Sequence, residues 1–177
     1  MPTTRLWITI AIFSLCLSAL APIAASAGEH RLGLGAHYWR TVDSLGDLND
    51  LPDDGYSWMV SYQYKPRGLF TFEAAVELFD DGFGGSNDSA YSPQIFALVG
   101  GNGLYGGVGV GVTVSDGLAD DISDPYYVVR IGWNVAVLGS VYADIHARYR
   151  FDDWEGVEEF ELNSDSFTVG LVGRVRF

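Results

Sequence analysis

The chain is poor in cysteine, in basic residues and in long apolar runs, and each shortage removes a class of answer. Its one cysteine, Cys16, falls inside an N-terminal export segment, so the remainder has neither disulfide nor thiol chemistry. Ten Lys and Arg stand against 23 Asp and Glu, a formal charge of −13, which argues against a nucleic-acid ligand. Beyond residue 27 there are no 18 consecutive apolar residues, so no transmembrane helix is expected there. Membrane residence then falls to strands.

The N-terminal segment sets the compartment. Arg5 precedes an apolar run from Leu6 to Ile23, and Ala25-Ser26-Ala27 supplies the small residues of a signal-peptidase site. This predicts a cleaved signal peptide at 1–27 and a single domain at 28–177. A lipoprotein site is rejected because Leu15, not a small residue, precedes Cys16. Cleavage removes Arg5 alone among charged residues.

Acidic residues are present in abundance, and they are segregated. Of the 23, 19 lie between Asp43 and Asp54, Asp80 and Asp88, Asp116 and Asp124, or Asp152 and Asp165, stretches that contain no Lys or Arg. Between them run segments of period-two alternation, the mark of strands with one apolar face. In the first, Leu32, Leu34, Ala36, Tyr38 and Val42 oppose Gly33, Gly35, His37, Trp39 and Thr41. Later ones set Phe70, Phe72, Ala74, Val76 and Leu78 against Glu73 and Glu77, and Val141, Ala143, Ile145, Ala147, Tyr149 and Phe151 against Asp144, His146, Arg148 and Arg150. The last alternates Phe167, Val169, Leu171, Gly173, Val175 and Phe177 with Thr168, Gly170, Arg174 and Arg176. Eight such strands can be read.

Which face is apolar separates two barrel types. A soluble up-and-down barrel of the lipocalin kind keeps its apolar face inside. Here the opposing face carries Glu73, Glu77, Arg130, Asp144, His146, Arg148, Arg150, Arg174 and Arg176, too many charges for a dry soluble core. Apolar-face aromatics also gather at strand ends: Tyr38, Trp58, Tyr91, Tyr127, Tyr149 and Phe167 toward the acidic stretches, Tyr64, Phe70, Trp133 and Phe177 toward the short turns. Two aromatic girdles around an aliphatic band suit the two headgroup interfaces of a membrane. The fold class expected is all-β, an eight-stranded antiparallel up-and-down transmembrane β-barrel.

The segment from Phe167 to Phe177, which ends on an aromatic residue, resembles the terminal strand of bacterial outer-membrane barrels. The whole region from residue 28 is similar to the small eight-stranded outer-membrane barrel proteins, the OmpA-like and OmpW-like group with porin-like domains. That resemblance implies an outer-membrane location, both termini periplasmic, and the acidic stretches as extracellular loops. It also implies Phe177 as part of the signal read by the barrel-assembly machinery, with outer-membrane lipid and lipopolysaccharide as partners. The short connections Lys65 to Gly68, Gly100 to Gly103 and Leu138 to Ser140 become periplasmic turns, and Lys65, Arg67, Arg174 and Arg176 gather near the periplasmic rim.

For the lumen, the reading places Arg31, Arg130, Arg148, Arg150, Arg174 and Arg176 against Glu73, Glu77 and Asp144, a positive excess. An eight-stranded barrel is narrow enough for side chains to fill, and Arg can pair with carboxylate in a bidentate way. A structural envelope role with a salt-bridged plug is therefore expected, ahead of a narrow or gated pore with anion preference. Gly107, Gly109 and Gly111 leave space beside Arg130, for a solute or for the guanidinium itself. Loop-mediated adhesion or cation binding is a remoter reading. The acid clusters around Asp47 to Asp54 and Asp152 to Glu159 lack the spacing of an EF-hand. No cofactor is indicated, and no enzyme: His146 and Asp144 share a face, but that face is the lumen, and position 148 is Arg rather than a serine nucleophile.

Overall fold

The computed structural model describes residues 28–41, 54–79, 90–101, 103–115, 123–151 and 166–177. The expected signal peptide, nearly all of the acidic stretches and the glycine-rich segment from Gly82 to Ser86 lie outside the described residues. Those described form nine strand segments: β1 (Glu29–Thr41), β2 (Asp54–Lys65), β3 (Phe70–Phe79), β4 (Ala90–Gly101), β5 (Leu104–Gly111), β6 (Val114–Ser115), β7 (Tyr126–Leu138), β8 (Val141–Phe151) and β9 (Ser166–Arg176).

Segments β5 and β6 are two pieces of one barrel strand. Gln94 faces Gly111 and Ala90 faces Ser115, one unbroken register along β4. The interruption falls where Pro93 would oppose Val112. Proline has no N–H to give to a ladder, so only the Val112 N–H to Pro93 oxygen bond, 3.2 Å, survives there. Eight strands result, as the alternation predicts.

Every strand pairs antiparallel with its neighbour in sequence, and β1 closes on β9 with Leu32 opposite Val175. Closure matters because an open sheet edge would leave backbone groups unpaired in lipid. One irregularity, a register shift between Ala136 and Leu138, sits at the turn end of the β7–β8 pair, where barrels tolerate bulges. The three short connections all lie at that end. Each contains a glycine at positive φ, Gly68 at 116°, Gly103 at 89° and Gly139 at 55°, a conformation costly for residues with a Cβ.

The two faces separate as expected. Outside, Leu34, Ile95, Ile131 and Leu171 are each at least 58% exposed, in a band that continues around the barrel. Soluble proteins rarely expose an apolar patch beyond a few hundred Å², so this surface is built for lipid. Phe151 departs from the expected exposure. It keeps outward parity but is buried, its ring 5.8 Å from that of Tyr127 and 6.0 Å from that of Tyr149. Inside, Met59, Ala75, Phe96, Leu98, Tyr126, Val128 and Val172 make an apolar cluster, with Trp39, Phe79 and Ala90 forming a second nearer the acidic end.

Candidate functional site

The remaining interior is ionic, and it is built from the alternation that put one residue in two inside. Glu73 and Glu77 lie four apart on β3, so both project into the lumen, Glu73 nearer the short turns and Glu77 nearer the acidic stretches. Across the barrel β7 supplies Arg130, β8 supplies Asp144, His146 and Arg148, and β9 supplies Arg174, all of them buried. Register decides which of these meet.

Two clusters form. In the first, Arg130 Nη1 donates to Glu73 at 3.0 Å and Arg174 Nη2 donates to the other Glu73 oxygen at 3.1 Å. Arg174 Nε also donates to Asp144 at 2.9 Å, and Arg130 Nη2 lies 3.3 Å from the same carboxylate oxygen. Two acids and two arginines thus close a ring. Neutral donors complete it: Gln63 Nε2 to Glu73 at 2.6 Å, Tyr105 Oη to Asp144 at 2.7 Å and Asn134 Nδ2 to Asp144 at 3.2 Å.

The second cluster has one acid and one arginine. Arg148 Nη2 donates to both Glu77 oxygens at 2.8 Å, while Ser57 Oγ and Gln94 Nε2 donate at 2.6 and 2.9 Å. His37 Nδ1 is 2.7 Å from Glu77. A histidine pair joins the clusters: His37 Nε2 and His146 Nε2 are 3.2 Å apart, and His146 Nδ1 is 2.9 Å from Asp144. Room for this contact comes from Gly170, where a Cβ would collide with both imidazoles.

Several sequence expectations need correction. Among the described residues the centre of the lumen has no positive excess: Arg130, Arg148 and Arg174 meet Glu73, Glu77 and Asp144, three against three. Arg31 pairs with Glu29 instead, its guanidinium 4.3 Å from the Tyr142 ring centre. Arg176 lies at the turn-end rim, 3.8 Å from Glu29. Arg174, expected near that rim, is fully buried because its long side chain reaches into the first cluster. Arg150 sits farther toward the acidic end, 3.6 Å over the Tyr126 ring. The space above Gly107 and Gly109 is taken by Leu98 and Phe96 of β4, not by a solute or the guanidinium. Larger side chains on a neighbouring strand fill what small ones vacate.

Sequence reasoning assigned no role to Ser57, Ser61, Gln63, Gln94, Tyr105 or Asn134, while it placed His37 on the inward face. All have the inward parity of their strands. A polar residue on the lumen face was the available signal. Phe177 lies at the turn end, its backbone N–H donating to the His30 oxygen at 3.1 Å and its ring stacked 6.1 Å from the His30 ring.

Among the described residues, two spaces flank the ionic layer. A chamber of about 220 Å³ opens at the turn end, lined by Arg31, Gln63, Lys65, Tyr105, Asn134 and Tyr142 among others. On the acidic side of the network there is a void of only about 20 Å³, bordered by Glu77, Gln94, Tyr126 and Arg148. The ionic layer lies between them.

No protein-family model and no curated protein sequence matches the chain. Solved structures do. Neisserial surface protein A is 19% identical, with a TM-score of 0.57 over 84% of this chain and 97% of that one. The Yersinia pestis outer membrane protein Ail, solved in a phospholipid bilayer nanodisc, is 16% identical, with a TM-score of 0.50 over 85% of this chain and 99% of that one. The fold is that of a small eight-stranded outer-membrane β-barrel. The apolar exterior, the closed sheet and the polar interior described above are what that architecture requires of a membrane-spanning chain.

Proposed function

We propose that this is an integral outer-membrane protein with a structural role in the envelope, its lumen sealed by the Arg-carboxylate layer. Both termini and the short turns face the periplasm in this reading, and the acidic stretches face outward. Its partners are outer-membrane lipid, lipopolysaccharide and the barrel-assembly machinery, which would read Phe177. The observation that carries the plug is the pairing of three buried arginines with three buried carboxylates, cross-linked through His37 and His146. Each charge has an opposite partner and further hydrogen bonds, the condition under which buried ions are tolerated. Opening a path would separate several charge pairs at once.

The same balance weighs against an anion-selective pore, whose centre would need uncompensated cations. It also weighs against catalysis by His146, whose ring is held between Asp144 and His37 and lies on the face away from acyl chains. Planar-bilayer recording on protein isolated from membranes tests the plug. Silence is expected for the unaltered chain, with unitary steps appearing in an Arg148→Ala, Arg130→Ala double variant. Reproducible anion-favouring steps from the unaltered chain would sink the proposal.

A further inference from the structure

Charge at the turn end is gathered on one side of the rim. Arg31 on β1 lies opposite Arg176 on β9, and Glu29 on β1 lies opposite Lys65 on β2. Arg67 follows in the turn after β2 and is exposed. Among the described residues these four cations share one acidic side chain, Glu29, which pairs with Arg31 and stands 3.8 Å from Arg176. Even with the carboxylate of Phe177 counted, four positive charges meet two negative ones. The other two short connections, 100–103 and 138–140, contain no charged residue. Three adjacent strands and one turn therefore carry the whole basic sector.

The neighbours of these cations place them at a headgroup layer. On the membrane side of the same sector, Leu69, Phe70 and Phe177 are exposed, and the rings of Tyr62, Tyr64 and Phe177 gather around His30. Aromatic rings on a lipid-facing surface sit at the membrane–water interface. Lys65 follows Tyr64, Arg176 precedes Phe177, and Arg67 stands just before Leu69 and Phe70, so the charges lie level with lipid phosphates. Long basic side chains reach that level along their apolar stems. The Arg176 side chain is 44% exposed. Zwitterionic headgroups bring no net charge to match the excess, and the acidic stretches adjoin the opposite ends of the strands.

We infer that the sector formed by β9, β1, β2 and the Lys65–Gly68 turn is a docking surface for anionic phospholipid headgroups, with Arg67 and Arg176 as its exposed contacts. Arg31 and Lys65, more enclosed, add to the field without touching lipid. The inference rests on the proposed orientation, which turns this rim toward the periplasmic leaflet, and it names the lipid class engaged there. Each basic residue near an anionic surface is worth about fivefold in local enrichment, so selection depends on several acting together.

The test places protein isolated from membranes in nanodiscs of phosphatidylcholine with a minority of phosphatidylglycerol. Backbone amides are followed by NMR while a lipid of either class carries a spin label next to its headgroup. With the anionic label, broadening at Arg67, Gly68 and Arg176 should exceed that at Gly101, Gly139 and Ser140 at least threefold. With the zwitterionic label the three turns should broaden alike. Arg67→Gln combined with Arg176→Gln should remove the difference while folded-form gel mobility is unchanged, because neither side chain belongs to the ionic layer, and high salt should weaken it. Equal broadening at all three turns with the anionic label, or a difference that survives the double substitution, would overturn the assignment. Orientation is read separately with a bulky amine reagent on Lys65, the chain's single lysine, which should react only after the outer membrane is permeabilised. Reaction in intact cells would overturn the phospholipid assignment in favour of lipopolysaccharide phosphate, whatever the nanodiscs show. Bilayer conductance is independent of both, so failure of the plug and failure of the lipid surface are distinguishable.

Discussion

The two halves of the ionic layer solve one problem with different redundancy. Around Glu73 and Asp144, two arginines each touch two acids, so every carboxylate keeps one guanidinium if the other is removed. Around Glu77, Arg148 is the only arginine in contact among the described residues, assisted by Ser57, Gln94 and the His37 ring. A ring distributes a charge; a pair concentrates it. The acidic-side cluster is therefore the weaker point of the plug, although its individual hydrogen bonds are as short as those of the ring.

The largest effect should follow from breaking the pair. Arg148→Met strands a buried Glu77 carboxylate, and losing one partner of a buried ion pair costs about 3–5 kcal/mol. Urea unfolding in detergent, read by gel mobility, should show the midpoint falling accordingly. Adding Glu77→Gln should recover much of the loss, because the stranded charge is then gone. Failure of the second change to recover stability would mean that packing, not charge, explains the first.

Arg174→Met tests the ring and should cost less, about 1–3 kcal/mol, since Arg130 still contacts both acids and only some acceptors lose a donor. A loss as large as that of Arg148→Met would erase the contrast between the clusters. Ser57→Ala removes one hydroxyl donor from Glu77 and should cost about 1–2 kcal/mol. Ser61→Ala removes only an acceptor for Arg174 Nη1 at 2.8 Å and should cost less, because Arg174 keeps both Glu73 and Asp144. The order Ser57 above Ser61 sharpens the comparison where the arginine variants only establish it.

Much of this architecture was legible in the residues. Alternation assigned Leu32, Leu34, Ile131 and Leu171 to the outside and Glu73, Arg130 and Asp144 to the inside, because parity is a local property of a strand. The short connections Lys65 to Gly68, Gly100 to Gly103 and Leu138 to Ser140 were legible for an equally local reason, the break between two alternating segments. Partnership was not legible. Whether Arg174 meets Glu29 or Asp144 depends on register across β8 and β9 and on the reach of a long side chain, neither of which a single strand encodes. Counting inward charges therefore suggested an excess of cations, whereas Arg31 and Arg176 belong to the turn end.

The apolar part of the lumen escaped notice for a related reason. Met59, Phe96 and Leu98 have inward parity, but a search for charges passes over them. Their neighbours Gly107 and Gly109 were read as vacant, when a glycine on one strand is the space that a large residue on the next strand needs. The ionic layer is thus anchored against a packed apolar wall, with Arg130 5.5 Å from the Phe96 ring centre.

The closure of β1 on β9 has a consequence in time. Leu32 and Val175 are opposite one another in the finished barrel but stand at nearly the greatest separation the described chain allows. Contacts between such distant positions are slow to form, since loop-closure entropy must be overcome before they contribute. The Phe177 N–H to His30 oxygen bond lies on the same seam, so the aromatic terminus takes its final place with the last step of closure. Until then the sheet has two open edges, and a lipid environment does not tolerate open edges. The chain must be kept paired or shielded over that interval.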